Sequence, residues 1–136
     1  KSKGFVQLFK SHKPDFKDGE QLRDFIYVKD VVEVIGWMAE KMLTGNWDAA
    51  HNGLYNLGTG KARSFNDLVT ASFHALQQPV NIEYINMPED IRDTYQYYTE
   101  AKMNKLRQAG YTKPMHSLEE GVTDYVTHYL QPLSYW

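Results

Sequence analysis

Cationic side chains gather in one stretch near the start of the chain, where their chemistry suits a phosphate. They are Lys10, His12, Lys13, Lys17 and Arg23. Arginine binds phosphate oxygens with two parallel N–H groups and keeps its charge at any working pH. Arg23 could therefore anchor the pyrophosphate of a sugar nucleotide. A structural salt bridge is an equally good interpretation of Arg23, and Asp24 could pair with solvent or a neighbouring cation.

A second cluster of polar and aromatic residues lies in a stretch without regular periodicity. Its members are Arg92, Tyr95, Tyr97 and Tyr98. Tyrosine hydroxyls form hydrogen bonds with sugar hydroxyls and phosphates, and pocket walls often combine such residues. For two of the three tyrosines, packing of a loop onto the core is an equally good interpretation.

The turn at Gly58 and Gly60 stands between a strand-like run and a helix, as the glycines of a dinucleotide fingerprint do. Arg63 occupies the third small position, and no acidic residue follows at the expected distance. The sequence favours a tight strand-to-helix turn, and the alternative is that its backbone amides approach a ligand.

Other catalytic patterns lack support. Tyr98 and Lys102 have the Tyr-x-x-x-Lys spacing of dehydrogenases, but Tyr98 precedes the expected helix cap Thr99, so the two side chains would not share a helical face. The five histidines lack the spacing of a metal site, and no G-x-S-x-G elbow occurs. We therefore expect no metal site and no hydrolytic triad.

The composition is that of an ordinary globular protein of 136 residues, with 42% apolar and 24% charged residues. The formal charge of −2 gives no general attraction to nucleic acid, and no apolar run approaches the roughly 20 residues that span a bilayer. The lack of cysteine and of a secretory signal predicts a cytoplasmic protein. The missing initiator methionine predicts that residue 1 is an interior point of a longer protein.

The elements that must position these residues alternate between short strands and amphipathic helices, which predicts an α/β fold. Strand-like runs cover 5–9, 25–28, 54–57 and 80–85, and a long loop covers 10–22. Helices are predicted from the N-caps Asp30, Ser64, Thr99 and Ser117, ending near residues 45, 76, 110 and 132. The first helix has one apolar stripe that should face the core: Val31, Val34, Ile35, Met38 and Met42. So few strands require residues outside this chain to complete a sheet.

The runs RDFIYVKDV at 23–31 and YNLGTG at 55–60 resemble the C-terminal half of extended short-chain dehydrogenase/reductase enzymes that act on sugar nucleotides. Further runs at 82–88, 95–101, 106–111 and 117–125 are similar to the ADP-L-glycero-D-manno-heptose 6-epimerase family. The resemblance extends from Leu8 to Leu130, nearly the whole chain. It implies the C-terminal portion of a Rossmann-type enzyme.

That resemblance implies NADP-dependent epimerisation at C6 of an ADP-heptose, a step toward the inner core of lipopolysaccharide. The NADP-binding Rossmann domain, the catalytic tyrosine with its lysine and the further base belong before this segment in the family. Residues 1–136 would then be a substrate-binding portion without catalytic, cofactor-binding or metal-binding residues of its own, and inactive alone. The full-length enzyme is expected to be a cytoplasmic homo-oligomer that binds neither nucleic acid nor membrane.

The resemblance also implies a set of substrate-binding residues. They are Phe9, Lys10, Ser11, His12, Arg23 and Tyr95. The loop between His12 and Arg23 is longer than in some members, so the family register is better matched at Arg23 than at Phe9 to His12. Two alternatives stay open: a 4-epimerase or 4,6-dehydratase of UDP-, dTDP- or GDP-sugars, and a non-catalytic module that binds sugar nucleotides.

Overall fold

A computed structural model describes residues 4–132 and confirms the α/β class. Its strands are β1 (Val6–Phe9), β2 (Leu22–Arg23), β3 (Arg63–Ser64) and β4 (Ile82–Ile85). Its α-helices are α1 (Val28–Leu43), α2 (Phe65–Ala75), α3 (Glu89–Arg92), α4 (Asn104–Gln108) and α5 (Leu118–Tyr125). A 3-10 turn covers Ala49–His51, and a π-helix over Val126–Leu130 continues α5.

The strands form two separate pairs. β1 and β4 run parallel, with Val6 opposite Ile82 and Phe9 opposite Ile85. This pair confirms the strands predicted at 5–9 and 80–85. β2 and β3 run antiparallel over two residues each. Two-stranded sheets bury too little surface to be stable alone, so helices and loops must cover them.

The two helices with capping boxes begin where the sequence predicts. The Ser64 hydroxyl accepts from the backbone N–H of Asp67, whose carboxylate accepts from the N–H of Ser64, and Ser117 forms the same motif at α5. Arg63 pairs with Asp67 at 3.0 Å and with Glu119 at 2.7 Å. This network joins the first turns of α2 and α5, which pack against each other.

The start of α1 differs from the prediction. Its N-cap is Tyr27, and Asp30 lies inside the first turn. Asp30 cannot serve as a cap because its buried carboxylate binds the backbone N–H of His116 at 3.0 Å and the imidazole Nδ1 at 2.6 Å. The strand predicted at 25–28 is also wrong, since Val28 is already helical and residues 25–27 pair with no strand in the described chain. The end is as predicted, with Gly45 at φ +71° after the last turn.

The hydrophobic core lies between α1, α4 and the segment that follows α4. Its buried residues are Val34, Met103, Leu106 and Tyr111, and Trp37, Met38, Tyr55 and Leu57 pack against them. Val34 and Met38 are therefore core residues, as predicted. Ile35 and Met42 are not, because they lie on a second face of α1 that no described element covers.

Two further expectations are corrected. Residues 54–57 are not a strand, because no other strand lies beside them within residues 4–132. Thr99 is not a helix cap, because its N–H donates to the Leu22 carbonyl at 3.2 Å and so holds the chain beside β2, and α4 begins only after Met103. The polar stretch 88–96 is irregular as expected, except for the single turn of α3. None of the helices between residues 4 and 132 is both long and apolar enough to cross a bilayer.

The pair of Asp30 and His116 should make the stability of the fold depend on pH. The hydrogen bond with Asp30 raises the pKa of His116 above its ordinary 6.5, although burial opposes the shift, and the charges of Glu120 and Asp124 add to it. Because the folded-state pKa is raised, the contribution is complete below pH 6.5 and is lost as the pH rises through that folded-state value.

We expect the free energy of unfolding in urea to decline over this pH window in the wild type. His116→Gln, which carries no titrating ring, should lack that part of the decline. Parallel pH profiles for the two proteins would show that the pair contributes nothing.

Candidate functional site

The loop over residues 10–21 begins where β1 ends and is held by hydrogen bonds at both ends. The Lys10 N–H donates to the Ile85 carbonyl at 2.8 Å, and the Gly19 N–H donates to the Phe9 carbonyl at 3.3 Å. The Ser11 N–H donates to the Asp18 carboxylate of the same loop, at 2.8 Å. The predicted substrate residues from Phe9 to His12 therefore occupy a defined turn.

Tyr97 contacts several residues of this loop and holds them in place. Its buried hydroxyl accepts from the His12 N–H at 2.9 Å and lies 2.8 Å from the imidazole Nδ1. The Phe16 ring lies 4.9 Å from the Tyr97 ring centre, and the Lys13 ammonium lies 4.8 Å from it. The sequence places Tyr97 in the aromatic cluster but gives no sign of its contact with the loop, because its partner His12 is 85 residues away.

Arg23 lies on β2, and its guanidinium is held by two backbone carbonyls. Nη1 donates to the Leu22 carbonyl at 2.8 Å, and Nη2 donates to the Gln96 carbonyl. The guanidinium carbon lies 5.4 Å from the Tyr95 ring centre and 5.9 Å from that of Phe65, within the range of cation–π attraction. No carboxylate in the described chain pairs with Arg23. Of the five N–H donors of a guanidinium, three remain for an anion.

Tyr95 connects Arg23 to the loop. Its ring stands edge-on to Phe9 at 6.2 Å and to Tyr97 at 5.5 Å. A small cavity of about 280 Å³ lies here, lined by Gln7, Leu8, Phe9, Gln21, Phe65 and Tyr95. Burial raises the pKa of Tyr95, so its hydroxyl is protonated at neutral pH and can donate.

The structure thus brings Phe9, His12, Arg23 and Tyr95 into one neighbourhood, with Ser11 beside His12. Lys10 differs, because its exposed ammonium makes no hydrogen bond or ion pair with the described residues. The role of each of these residues toward a ligand stays a prediction.

Arg92 and Tyr98 of the aromatic cluster do not join this neighbourhood. Arg92 donates to the Met87 carbonyl at 3.0 Å and so closes its own helix turn. Tyr98 is half-exposed on the bridge to β2. Residues 98–103 form no helix, which confirms that Tyr98 and Lys102 share no helical face. Over residues 4–132, no three histidine or carboxylate side chains come together as metal ligands.

The glycine turn at 58–60 already binds an anion, the carboxylate of Asp24. The N–H groups of Thr59, Gly60 and Ala101 donate to it at 2.7, 2.9 and 3.0 Å. Burial alone would raise the pKa of Asp24, but the hydrogen bonds from Thr59, Ala101 and Gly60 lower it below 3.8. A Cβ at Gly58 would collide with this carboxylate. The turn therefore does not fit the pyrophosphate of a cofactor, because its amides are taken.

Replacing Tyr97 by phenylalanine is expected to loosen the loop without unfolding the protein. The ring contacts with Phe16 and Lys13 remain, but the acceptor for the His12 N–H is lost, at a cost of ~0.5–1.5 kcal/mol. Amide hydrogen exchange at His12 should accelerate about 2- to 13-fold, the factor that this energy gives for local opening. The control is Tyr98→Phe, whose hydroxyl has no bond to this loop. Equal exchange at His12 in Tyr97→Phe and the wild type would contradict the role.

Comparison with known proteins gives a consistent result. The family model described as the NAD dependent epimerase/dehydratase family matches residues 6–58. The ADP-L-glycero-D-manno-heptose-6-epimerase of Fusobacterium nucleatum subsp. nucleatum is 54% identical, in an alignment that covers 96% of this chain and 39% of the relative. The enzyme of the same name from Nitratidesulfovibrio vulgaris strain DP4 is 52% identical, over 93% of this chain and 37% of the relative.

A solved structure shows the same likeness in three dimensions. The crystal structure of the Helicobacter pylori ADP-L-glycero-D-manno-heptose-6-epimerase matches with a TM-score of 0.63 and 30% identity, covering 91% of this chain and 32% of that chain. In each comparison the chain spans less than two fifths of the length of its relative.

Proposed function

We propose that the chain belongs to the NAD dependent epimerase/dehydratase family, whose model matches residues 6–58, and that it is the C-terminal, substrate-binding part of an ADP-L-glycero-D-manno-heptose 6-epimerase. The full-length enzyme would interconvert the D-glycero and L-glycero forms of ADP-heptose for the inner core of lipopolysaccharide. The 54% identity over nearly the whole chain supports this substrate class above others of the family.

The main support for the proposal is the Arg23 guanidinium, which is held in a fixed position and still has N–H donors free for an anion. Two carbonyls and two aromatic rings hold it in place, and three N–H donors are free of partners within residues 4–132. Such a pre-positioned, permanently charged fork suits a pyrophosphate, because two of its N–H groups can bind two oxygens of one phosphate group. Because the arginine is already ordered, little side-chain entropy is lost when an anion binds.

The remaining residues suit the other parts of a sugar nucleotide. The Phe9 and Tyr95 rings offer apolar faces and one hydroxyl beside the cavity. The Tyr97 hydroxyl engages the His12 Nδ1, which leaves Nε2 for a ligand, and the Ser11 hydroxyl donates to the Lys13 carbonyl, which leaves an acceptor lone pair. Lys10 extends into solvent, where it can reach an exposed phosphate or sugar hydroxyl.

We place the NADP site and the catalytic residues in the part of the enzyme outside this chain, in an N-terminal Rossmann domain. The occupied glycine turn supports this assignment, because the described residues offer no other glycine turn of that kind. The isolated chain should then be inactive and should bind ADP at best weakly. We also propose that the full-length enzyme is a cytoplasmic homo-oligomer, and the absence of cysteine supports a reducing compartment.

The test is a substrate comparison with the full-length protein and NADP. Turnover of ADP-D-glycero-D-manno-heptose to its L-glycero epimer, followed by NMR of the C6 proton, is the expected result. Turnover of UDP-glucose or dTDP-glucose with ADP-heptose left untouched would contradict the proposed substrate. Binding of ADP-heptose with no turnover of any sugar nucleotide would favour a non-catalytic module.

A further inference from the structure

The hydrogen bond between the Tyr97 hydroxyl and the His12 imidazole can run in either direction. The hydroxyl oxygen lies 2.8 Å from Nδ1, and the donor depends on which ring nitrogen carries the hydrogen. The two directions present different groups to a ligand. If Nδ1 accepts, Nε2 carries the hydrogen and donates, whereas if Nδ1 donates, Nε2 of the neutral ring accepts.

The other contacts of the Tyr97 hydroxyl decide the direction. Its oxygen already accepts the backbone N–H of His12 at 2.9 Å. If Nδ1 also donated to it, the tyrosine proton could reach only the Ser11 hydroxyl, which is 3.4 Å away and already accepts the Lys13 N–H at 3.1 Å. If the tyrosine donates to Nδ1, its oxygen accepts one N–H and its proton has an acceptor at 2.8 Å. This accounting of donors and acceptors assigns the Nε2–H form to His12.

Packing holds the Tyr97 hydroxyl where it can play this part. Tyr97 is 5% exposed, and its ring packs against Phe16 at 4.9 Å and Tyr95 at 5.5 Å. The His12 ring stands edge-on to it at 5.1 Å. His12 itself is exposed, and its Nε2 has no hydrogen-bond partner among residues 4–132. One edge of the imidazole is therefore held, and the other is open to a ligand.

We propose that Tyr97 is a positioning residue that keeps His12 in the Nε2–H form, and that this N–H donates to an acceptor oxygen of the sugar nucleotide. The identity of the ligand rests on the proposed function. A fixed donor complements a phosphate oxygen or a sugar hydroxyl and gives nothing to a group that can only donate. The Lys13 ammonium, 4.8 Å from the Tyr97 ring centre, adds positive charge beside the pair and favours a phosphate oxygen.

The first test determines the tautomer in the full-length protein without ligand. Ring ¹⁵N shifts of histidine distinguish nitrogens that carry hydrogen from those that do not, and the signals of His12 are identified by their loss in His12→Gln. At mildly alkaline pH we expect hydrogen on Nε2 and none on Nδ1. In Tyr97→Phe the two shifts should approach each other, because the freed ring exchanges between tautomers, while Tyr98→Phe should leave them unchanged. Hydrogen on Nδ1 in the wild type, or unchanged shifts in Tyr97→Phe, would overturn the inference.

The second test is a double-mutant cycle on the affinity for ADP-heptose, measured by isothermal titration. His12→Ala should weaken binding about 10- to 150-fold if the acceptor is a phosphate oxygen, and about 2- to 13-fold if it is a sugar hydroxyl. Tyr97→Phe should weaken it less, because the ring remains. In the His12→Ala background, Tyr97→Phe should change the affinity about 2-fold or less, since its effect passes through the ring. The same loss in both backgrounds would overturn the positioning role.

ADP as a second ligand identifies the acceptor oxygen. Equal losses for ADP and ADP-heptose in His12→Ala place the acceptor in the nucleotide half, and a loss for ADP-heptose alone places it on the heptose. His12→Gln should recover part of the affinity, because its amide N–H lies near the position of Nε2, whereas the shorter His12→Asn should recover none. Unchanged affinity for both ligands in His12→Ala would overturn the inference.

The two proposals fail separately. Turnover of ADP-heptose by a protein whose His12 carries hydrogen on Nδ1 would overturn only this inference. The Nε2–H form in a protein that binds no ADP-heptose would overturn the proposed function and leave the tautomer assignment standing.

Discussion

Replacing Arg23 by alanine in the full-length protein is expected to weaken the binding of ADP-heptose by about 2–5 kcal/mol and to leave NADP binding nearly unchanged. The guanidinium offers its free N–H donors at a defined place, because the Leu22 and Gln96 carbonyls and the Tyr95 ring hold it there. Alanine leaves the pyrophosphate without its cation in a partly enclosed site, which costs more than the loss of a surface ion pair. Isothermal titration with each ligand separately gives the two affinities.

Arg107 provides a matched control within the same chain. Its guanidinium also donates to two backbone carbonyls, those of Tyr111 and Lys113, and lies 5.6 Å from an aromatic ring centre. Arg107→Ala should therefore lower stability without changing the affinity for ADP-heptose. Arg23→Lys should fall between wild type and alanine, because it keeps the charge and loses the fork. Equal loss of both ligands in Arg23→Ala, or a failure to fold, would refute the anchor role.

Replacing Asp24 by alanine is expected to lower the free energy of unfolding by about 1.5–3 kcal/mol, the range for hydrogen bonds to a charged group. Its carboxylate accepts from three backbone N–H groups and from the Thr59 hydroxyl at 2.5 Å. These donors lie 35 to 77 residues away in sequence, so the carboxylate joins three segments. Alanine leaves the part-buried amides unpaired, and the glycine turn and the segment at Ala101 should both loosen.

Urea unfolding at pH 7 measures this effect, with Asp93→Ala as a control at an exposed carboxylate. Because the pKa of Asp24 is lowered, its contribution is complete above pH 3.8 and is lost as the pH falls through the lower folded-state value. Wild type and Asp24→Ala should therefore converge in strong acid. A difference below about 1 kcal/mol at pH 7, the worth of one ordinary hydrogen bond, would contradict the role of this carboxylate.

Features with local causes could be predicted from the sequence. The capping boxes at Ser64 and Ser117 act within one helix turn, so α2 and α5 begin where their signals lie. The run at 5–9 contains one strand of the parallel pair, β1, and the run at 80–85 contains the other, β4. The α/β class follows from this alternation, as the comparisons also indicate.

Features with distant causes could not be predicted. Asp30 has the sequence context of a cap, but its partner His116 lies 86 residues away and draws it into the core. The same holds for Tyr97 with His12, and for Asp24 with the glycine turn. The runs at 25–28 and 54–57 have strand composition without a neighbouring strand within residues 4–132. The residue composition of a run shows only a preference for extended backbone. A β-strand also needs a neighbouring strand to form hydrogen bonds with, and composition does not show whether one is present.

In the candidate site, too, the sequence predicts the residues that have a local signal but not the long-range contacts that bring them together. Arg23 and Tyr95 could be singled out by residue type, and the structure places the guanidinium 5.4 Å from the ring centre. Their joint position depends on the bridge between Leu22 and Tyr98, which brings the segment 95–98 beside β2. Neither segment contains a local sequence pattern that predicts the pairing of Leu22 with Tyr98.

A crystal structure of the full-length protein with ADP-heptose bound would show directly whether Arg23 holds the pyrophosphate. We expect pyrophosphate oxygens about 2.7–2.9 Å from the Arg23 nitrogens that carry the three free N–H donors, with the ligand beside Tyr95 and the loop 10–21. A pyrophosphate bound elsewhere, with Arg23 still engaged only by the Leu22 and Gln96 carbonyls, would contradict this expectation.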